Sequence, residues 1–192
     1  MNNQKPAIAT PLRTRAIIEA YGLNFRKSLG QNFLIDVNLL QKMVQAATIS
    51  PADDVIEIGP GIGALTEQLV QKAHHVLALE IDERLLPILQ ETLADYDNLT
   101  ILHQDILQAN LHELVQHYFA DQRPIKVVAN LPYYITSPII KFLLKQPEEL
   151  DTIAVMVQKE VALRLTAQPK TKAYGVLSIL VQSQKKVELV LN

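Results

Sequence analysis

The sequence predicts an α/β fold: a mostly parallel central sheet with helices on both faces. Three observations carry this. From Asp54 onward, short apolar runs alternate with helical patterns. The first run leads into a glycine-rich stretch, Glu57-Ile58-Gly59-Pro60-Gly61-Ile62-Gly63, that gives way to a helical pattern at Leu65, Leu69 and Val70. Marked polar residues then stand at the ends of the next three runs, where parallel sheets bind their ligands. A length of 192 residues, 48% hydrophobic and 20% charged, suits one soluble domain with a real core.

Taken in order, residues 1–10 are expected to be a disordered tail, with one domain over 11–192. Thr10 and Pro11 read as an N-cap and first helical residue, and the helix should end near Tyr21 with Gly22 behind it. Phe25 to Leu34 is a polar, aromatic connector with little periodicity. Asp36 can cap the next helix, whose apolar positions Leu39, Leu40, Met43, Val44 and Ala47 fall at helical spacing. The first strand begins at Asp54, and the helix after the glycine loop should reach about Ala73. A second strand, from His75 to Leu79, ends at Glu80, and a helix with Leu85, Leu86, Leu89 and Leu93 follows. Pro87 is tolerated near its first turn. The third strand, from Leu99 to His103, runs into Asp105. The fourth, from Ile125 to Ala129, runs into Asn130-Leu131-Pro132-Tyr133. A fifth, from Thr152 to Val157, precedes an amphipathic helix. Gly175 opens a last helical pattern, and Val187 to Leu191 is predicted as a sixth strand.

The strand ends carry the binding chemistry. Glycine lets the backbone of the loop turn sharply and approach a ligand closely at Gly59, Gly61 and Gly63. The spacing G-x-G-x-G differs from the dinucleotide fingerprint, and Glu57, two residues before the first glycine, suits a cationic or zwitterionic ligand better than a diphosphate. Glu80, about twenty residues on, is placed to accept both hydroxyls of an adenosyl ribose, and Asp105 to accept from an adenine amino group. Each acid alone is an ordinary strand-end residue. At successive strand ends they describe one site.

Asn130-Leu131-Pro132-Tyr133 supplies a reaction. The exocyclic amine of adenine is a poor nucleophile because its lone pair is delocalised into the ring. The Asn130 side-chain oxygen and the Leu131 carbonyl can each accept from that amine, favouring a tetrahedral nitrogen whose lone pair faces an incoming methyl group. Pro132 restricts Leu131 to extended geometry, and Tyr133 offers a face on which an extruded base can stack. A sulfonium leaving group needs little activation, so no strong general base is required.

Composition narrows the rest. There is no cysteine, and His74, His75, His103, His112 and His117 form no ligand pattern, so no metal is expected. With no membrane-length apolar run and no secretory signal, a cytoplasmic location is expected. The net charge of −2 hides basic ends: Lys5, Arg13, Arg15, Arg26 and Lys27 near the start, and Lys159, Arg164, Lys170, Lys172, Lys185 and Lys186 after the fifth strand. An acidic scaffold with basic flanks fits a local nucleic-acid surface.

The glycine loop and the tetrapeptide, with Lys27-Ser28-Leu29-Gly30-Gln31-Asn32-Phe33-Leu34 and His103-Gln104-Asp105, resemble the KsgA-type ribosomal RNA adenine dimethyltransferases from about Ala16 to the end. The resemblance implies a Rossmann-like, S-adenosylmethionine-dependent methyltransferase fold. It also implies dimethylation of N6 of two adjacent adenosines in a hairpin loop near the 3′ end of small-subunit (16S) ribosomal RNA, with a role in small-subunit biogenesis. By position, cofactor contacts fall on Asn32, Leu34, Gly59, Glu80, Asp105 and Asn130, and the connector becomes a lid over the methionine end. Glu57 then lies near the methionine amino group. A monomer acting on ribosomal RNA or the immature small subunit is expected. The erythromycin-resistance methylases, which act on large-subunit (23S) RNA, share most of these motifs, but Pro60, Leu131 and Lys170-Thr171-Lys172-Ala173-Tyr174-Gly175 resemble the first group better. DNA adenine methyltransferases usually carry a second proline in place of Leu131. A reading from another class is a non-catalytic RNA-binding assembly factor. Family members continue past the position of Asn192 into a helical domain, so the chain is expected to be a catalytic domain without it.

Overall fold

The computed structural model describes residues 6–23, 36–119, 121, 123–146 and 150–191. Five strands form one fully parallel sheet: β1 (Asp54–Ile58), β2 (His75–Glu80), β3 (Leu99–His103), β4 (Ile125–Asn130) and β5 (Thr152–Met156), in the order β3-β2-β1-β4-β5. The chain builds outward from β1 to β3, then returns to the other side of β1 for β4. This reversal between β1 and β4 is the switch point at which such sheets open a crevice.

Among the described residues, eight α-helices cover the two faces: α1 (Pro11–Ala20), α2 (Val37–Ala46), α3 (Ala64–Val70), α4 (Leu86–Thr92), α5 (Leu111–Tyr118), α6 (Thr136–Leu144), α7 (Lys159–Leu165) and α8 (Val176–Gln182). The period of two along each strand sorts the core. Val55, Val76 and Val128 pack with Leu40, Val44, Leu65, Leu69, Leu89 and Leu93 of α2, α3 and the α4 region. Ile56, Ile58, Leu77, Leu79, Val127 and Ala129 pack on the opposite side with Leu111, Ile139, Leu143, Leu165 and Val181.

The local signals work as their chemistry requires. Thr10 accepts from the Arg13 N–H, Pro11 opens α1, and the N–H groups of Gly22 and Leu23 return to the Glu19 and Ile18 carbonyls. Gly22 has φ +56°, the left-handed geometry this ending needs. Asp36 caps α2 through the Leu39 N–H, and Pro87 lies in the first turn of α4, as expected.

Two expectations fail. Residues 6–10 are not a disordered tail: Ile8 and Ala9 are fully buried, and the Ile8 N–H donates to Glu67 Oε2 at 2.7 Å. Glu67 Oε1 also accepts from Arg13 at 3.0 Å. A charged residue of α3 inside the protein requires such donors, and the segment before α1 supplies one from its backbone. The predicted sixth strand is absent as well. Residues 186–191 form no ladder with β5, and Leu189, Val190 and Leu191 are exposed. β-branched and apolar composition marks a tendency to form a strand, but a strand exists only once it pairs, and no described segment pairs here.

Candidate active site

The register brings the marked strand ends level. Ile58 of β1 lies opposite Leu79 of β2 and Ala129 of β4, and Glu80 lies opposite His103 of β3. The glycine loop therefore leaves the sheet between Glu80 on one side and Asn130 on the other, with Asp105 beyond Glu80. From β3 to β4 this edge covers three inter-strand spacings, about 14 Å, the scale of a nucleoside with an amino-acid tail.

The glycines divide the work. Gly59, Gly61 and Gly63 all have positive φ, at +69°, +63° and +90°. A side chain at Gly59 would meet nothing within 4 Å, so the exposed backbone there is open to a ligand. The Gly61 N–H donates to Glu80 Oε2 at 3.0 Å. Gly63 serves packing: a Cβ there would lie 2.8 Å from Leu93 Cδ1 and 3.2 Å from Leu89 Cδ2, and its carbonyl accepts the Glu67 N–H to start α3.

Two buried carboxylates stand beneath this loop. Glu80 Oε1 accepts from the Asp82 N–H at 2.8 Å, while Oε2 takes Gly61. A carboxylate has about four acceptor positions, so both oxygens keep capacity for ligand hydroxyls. Burial raises its pKa, against the opposing effect of these backbone donors. Glu57 shares the face of Val55 with α3 and is only 1% exposed. Burial pushes its pKa up to about 8, the Thr66 hydroxyl of α3 restrains the rise, and the Glu80 charge adds to it. Glu57 Oε2 and Thr66 Oγ1 nevertheless lack a partner of normal hydrogen-bond geometry among the described residues. An orphaned carboxyl under a glycine loop is a ready acceptor for a ligand ammonium.

Asp105 sits in the next strand end with both oxygens in local use. Oδ1 accepts the Leu107 N–H at 2.9 Å, and Oδ2 accepts from the Gln108 amide at 3.3 Å, capping a single 3-10 turn. Ile81, which the motif reading passed over, is 49% exposed immediately after Glu80 and gives this edge an apolar rim. The signal for it is its position, a large apolar residue directly behind the marked acid.

At the end of β4 the tetrapeptide forms a tight, anchored turn. Leu131 is buried, and its N–H donates to the Met156 carbonyl of β5 at 3.1 Å. The Pro132 carbonyl accepts from the Ile135 N–H and from Thr136 Oγ1 at 2.9 Å. Among the described residues, nothing bonds to the Asn130 side chain or the Leu131 carbonyl. Tyr133 and Tyr134 are each 55% exposed. Asn32 and Leu34, with the lid expected around them, lie outside the described residues.

The chain matches the family model described as "Ribosomal RNA adenine dimethylase" over residues 22–192. It belongs to the ribosomal RNA adenine dimethylase family. It is 58% identical over 98% of its length to the ribosomal RNA small subunit methyltransferase A of Ligilactobacillus salivarius, and 55% identical over 96% to that of Staphylococcus aureus. It spans 64% and 62% of those proteins. Among solved structures it resembles a dimethyladenosine transferase from Plasmodium falciparum, with a TM-score of 0.63 at 31% identity, covering 77% of this chain and 50% of that one. It also resembles the 23S rRNA methyltransferase ErmE, with a TM-score of 0.61 at 32% identity, covering 70% and 51%. The fold is the Rossmann-like methyltransferase fold of this family. No helix among the described residues is long and apolar enough to cross a membrane, and they contain no group of residues suited to a metal.

Proposed function

We propose that this chain is the catalytic part of an S-adenosylmethionine-dependent methyltransferase that dimethylates N6 of two adjacent adenosines near the 3′ end of small-subunit ribosomal RNA during subunit biogenesis. The observation that carries the reaction is a pair of acceptors left unengaged among the described residues, the Asn130 side chain and the Leu131 carbonyl, on an anchored turn beside an exposed aromatic. The substrate reading rests on the relatives named as small-subunit enzymes.

The cofactor supplies an electrophilic methyl group on a sulfonium. Its adenosyl and methionine parts fit the polar groups on this edge: Glu80 for the ribose hydroxyls, Asp105 for the adenine amine, the open backbone at Gly59 and the turn at Gly61 for close approach, and Glu57 for the amino group. Asn32 and Leu34 are proposed to close over it. In the first transfer Asn130 and the Leu131 carbonyl accept hydrogen bonds from the two amine N–H groups of the target adenine, and in the second one of them holds the single N–H that remains, so the lone pair turns outward. Tyr133 holds the extruded ring, and Pro132 keeps the Leu131 carbonyl in register. Loss of a proton from the methylated nitrogen to water completes each transfer. No metal enters this scheme, and a monomer in the cytoplasm is sufficient for it.

Methyl transfer from labelled S-adenosylmethionine to immature small subunits, large-subunit RNA and duplex DNA tests the reading. Transfer to the small subunit is expected. Transfer to large-subunit RNA or DNA instead replaces the substrate, and cofactor binding by calorimetry with no transfer to any of them favours a non-catalytic assembly role.

A further inference from the structure

The turn that carries Tyr133 carries a second aromatic for which the transfer chemistry has no use. Tyr134 is as exposed as Tyr133, and among the described residues neither ring stacks on another nor does either hydroxyl find a partner. The turn beneath them is stiff. Buried Leu131 anchors one end through Met156, buried Thr136 anchors the other through the Pro132 carbonyl, and the Ile135 N–H closes the loop between. An aromatic ring held out on a stiff turn loses little freedom on binding, which is how protein surfaces prepare aromatic anchors.

We propose that Tyr134 is a stacking platform for the nucleotide next to the target adenosine. The proposal rests on the reading of the site as an RNA adenine methyltransferase. Extruding one base from a loop uncovers a face of its neighbour, and the cost of that unstacking falls on the enzyme unless it offers a replacement surface. Tyr133 is committed to the extruded ring. Tyr134 is the next residue, exposed on the same turn, with no partner of its own among the described residues. Stacking is tolerant of base identity because every base has a π-face, so Tyr134 registers the position of the neighbour. With two adjacent target adenosines, one occupies Tyr133 while the other waits on Tyr134.

The test uses the 192-residue chain and an RNA hairpin with two adjacent adenosines in its loop, one replaced by fluorescent 2-aminopurine. Binding should quench the probe in the native chain and in Tyr134→Phe, which keeps the ring. In Tyr134→Ala the quench should be lost and RNA affinity should fall roughly five- to a hundredfold, the worth of one base–aromatic stack. Cofactor affinity, measured by calorimetry, should stay within about twofold, since among the described residues the hydrogen bonds that hold the turn do not involve Tyr134. A quench that survives Tyr134→Ala, a quench lost equally in Tyr134→Phe, or a native chain that binds without quenching or fails to bind overturns the proposal. Native binding with quenching, but no methyl transfer to immature small subunits, large-subunit RNA or DNA, leaves the platform standing and removes the methyltransferase reading instead.

Discussion

The backbone of Gly61 and the carboxylate of Glu80 hold each other across the first two strand ends, N–H to Oε2 at 3.0 Å, so the loop proposed to admit the ligand is braced by the residue proposed to grip it. Glu80→Ala should therefore weaken cofactor binding roughly ten- to a hundredfold, the loss of charged hydrogen bonds, with a smaller effect on turnover at saturating cofactor. Calorimetry and steady-state kinetics separate the two parameters, and equal losses in both would count against a gripping role.

Tyr133→Ala should do the reverse. Turnover falls about a hundredfold or more if the ring positions the target base, while cofactor affinity changes little. A rise in cofactor Kd as large as the fall in kcat would remove Tyr133 from the chemistry.

Glu57 gives a pH signature. Its pKa is raised by burial to about 8 from a usual value of 4.5. Between these values the unfolded chain loses a proton that the folded chain keeps, so the stabilising contribution is complete below about pH 4.5 and lost as pH approaches 8. Urea unfolding of native and Glu57→Gln chains should show a stability difference that shifts against the native chain across this window. Calorimetry in buffers of different ionisation enthalpy should also detect proton release when the cofactor ammonium meets Glu57 at pH 7. A pH-independent difference, with no proton released, would contradict this account.

Gly59→Ala and Gly63→Ala should separate binding from folding. At Gly63 the added methyl strikes Leu93 at positive φ, and a loss of about 2–4 kcal/mol is expected from overpacking and backbone strain together. At Gly59 only the backbone strain applies, roughly 1–2 kcal/mol, but the methyl occupies the open approach to the ligand. Denaturant midpoints should fall further for Gly63→Ala, and cofactor affinity further for Gly59→Ala.

Glu67→Ala leaves the buried Ile8 N–H without its acceptor, a cost of about 1–3 kcal/mol. Hydrogen exchange at Ile8 should accelerate well before that of the β1 amides, and unchanged protection would show that Glu67 is not what holds the segment down.

Much of this was legible because it is local. Strand positions, the helix start at Thr10 and Pro11, the glycine turn and the four marked strand ends all depend on a few neighbouring residues. What the chain hides is long-range. Ile8 and Ala9 read as part of a disordered tail until α3 supplies Glu67, fifty-nine residues away from Ile8. Val187 to Leu191 are rich in strand-forming apolar residues, yet they do not pair with the outer edge of β5. Gly63 belongs to the same motif as Gly59, but Leu89 and Leu93 decide its role. Glu57 shows its acidity in the sequence and its protonation only through burial. The glycine loop itself was the most readable feature, and its division of labour the least.

The reversal of strand order around β1 also governs how the site comes into being. Glu80 and Asn130 flank the same loop yet reach it through separate crossovers: β2 must pair with one edge of β1 to bring Glu80, and β4 with the other edge to bring Asn130. Pairing of this kind closes long loops before any contact rewards it, and such steps come late and slowly. The proposed site spans both edges of β1, so its two halves meet only when both pairings have formed.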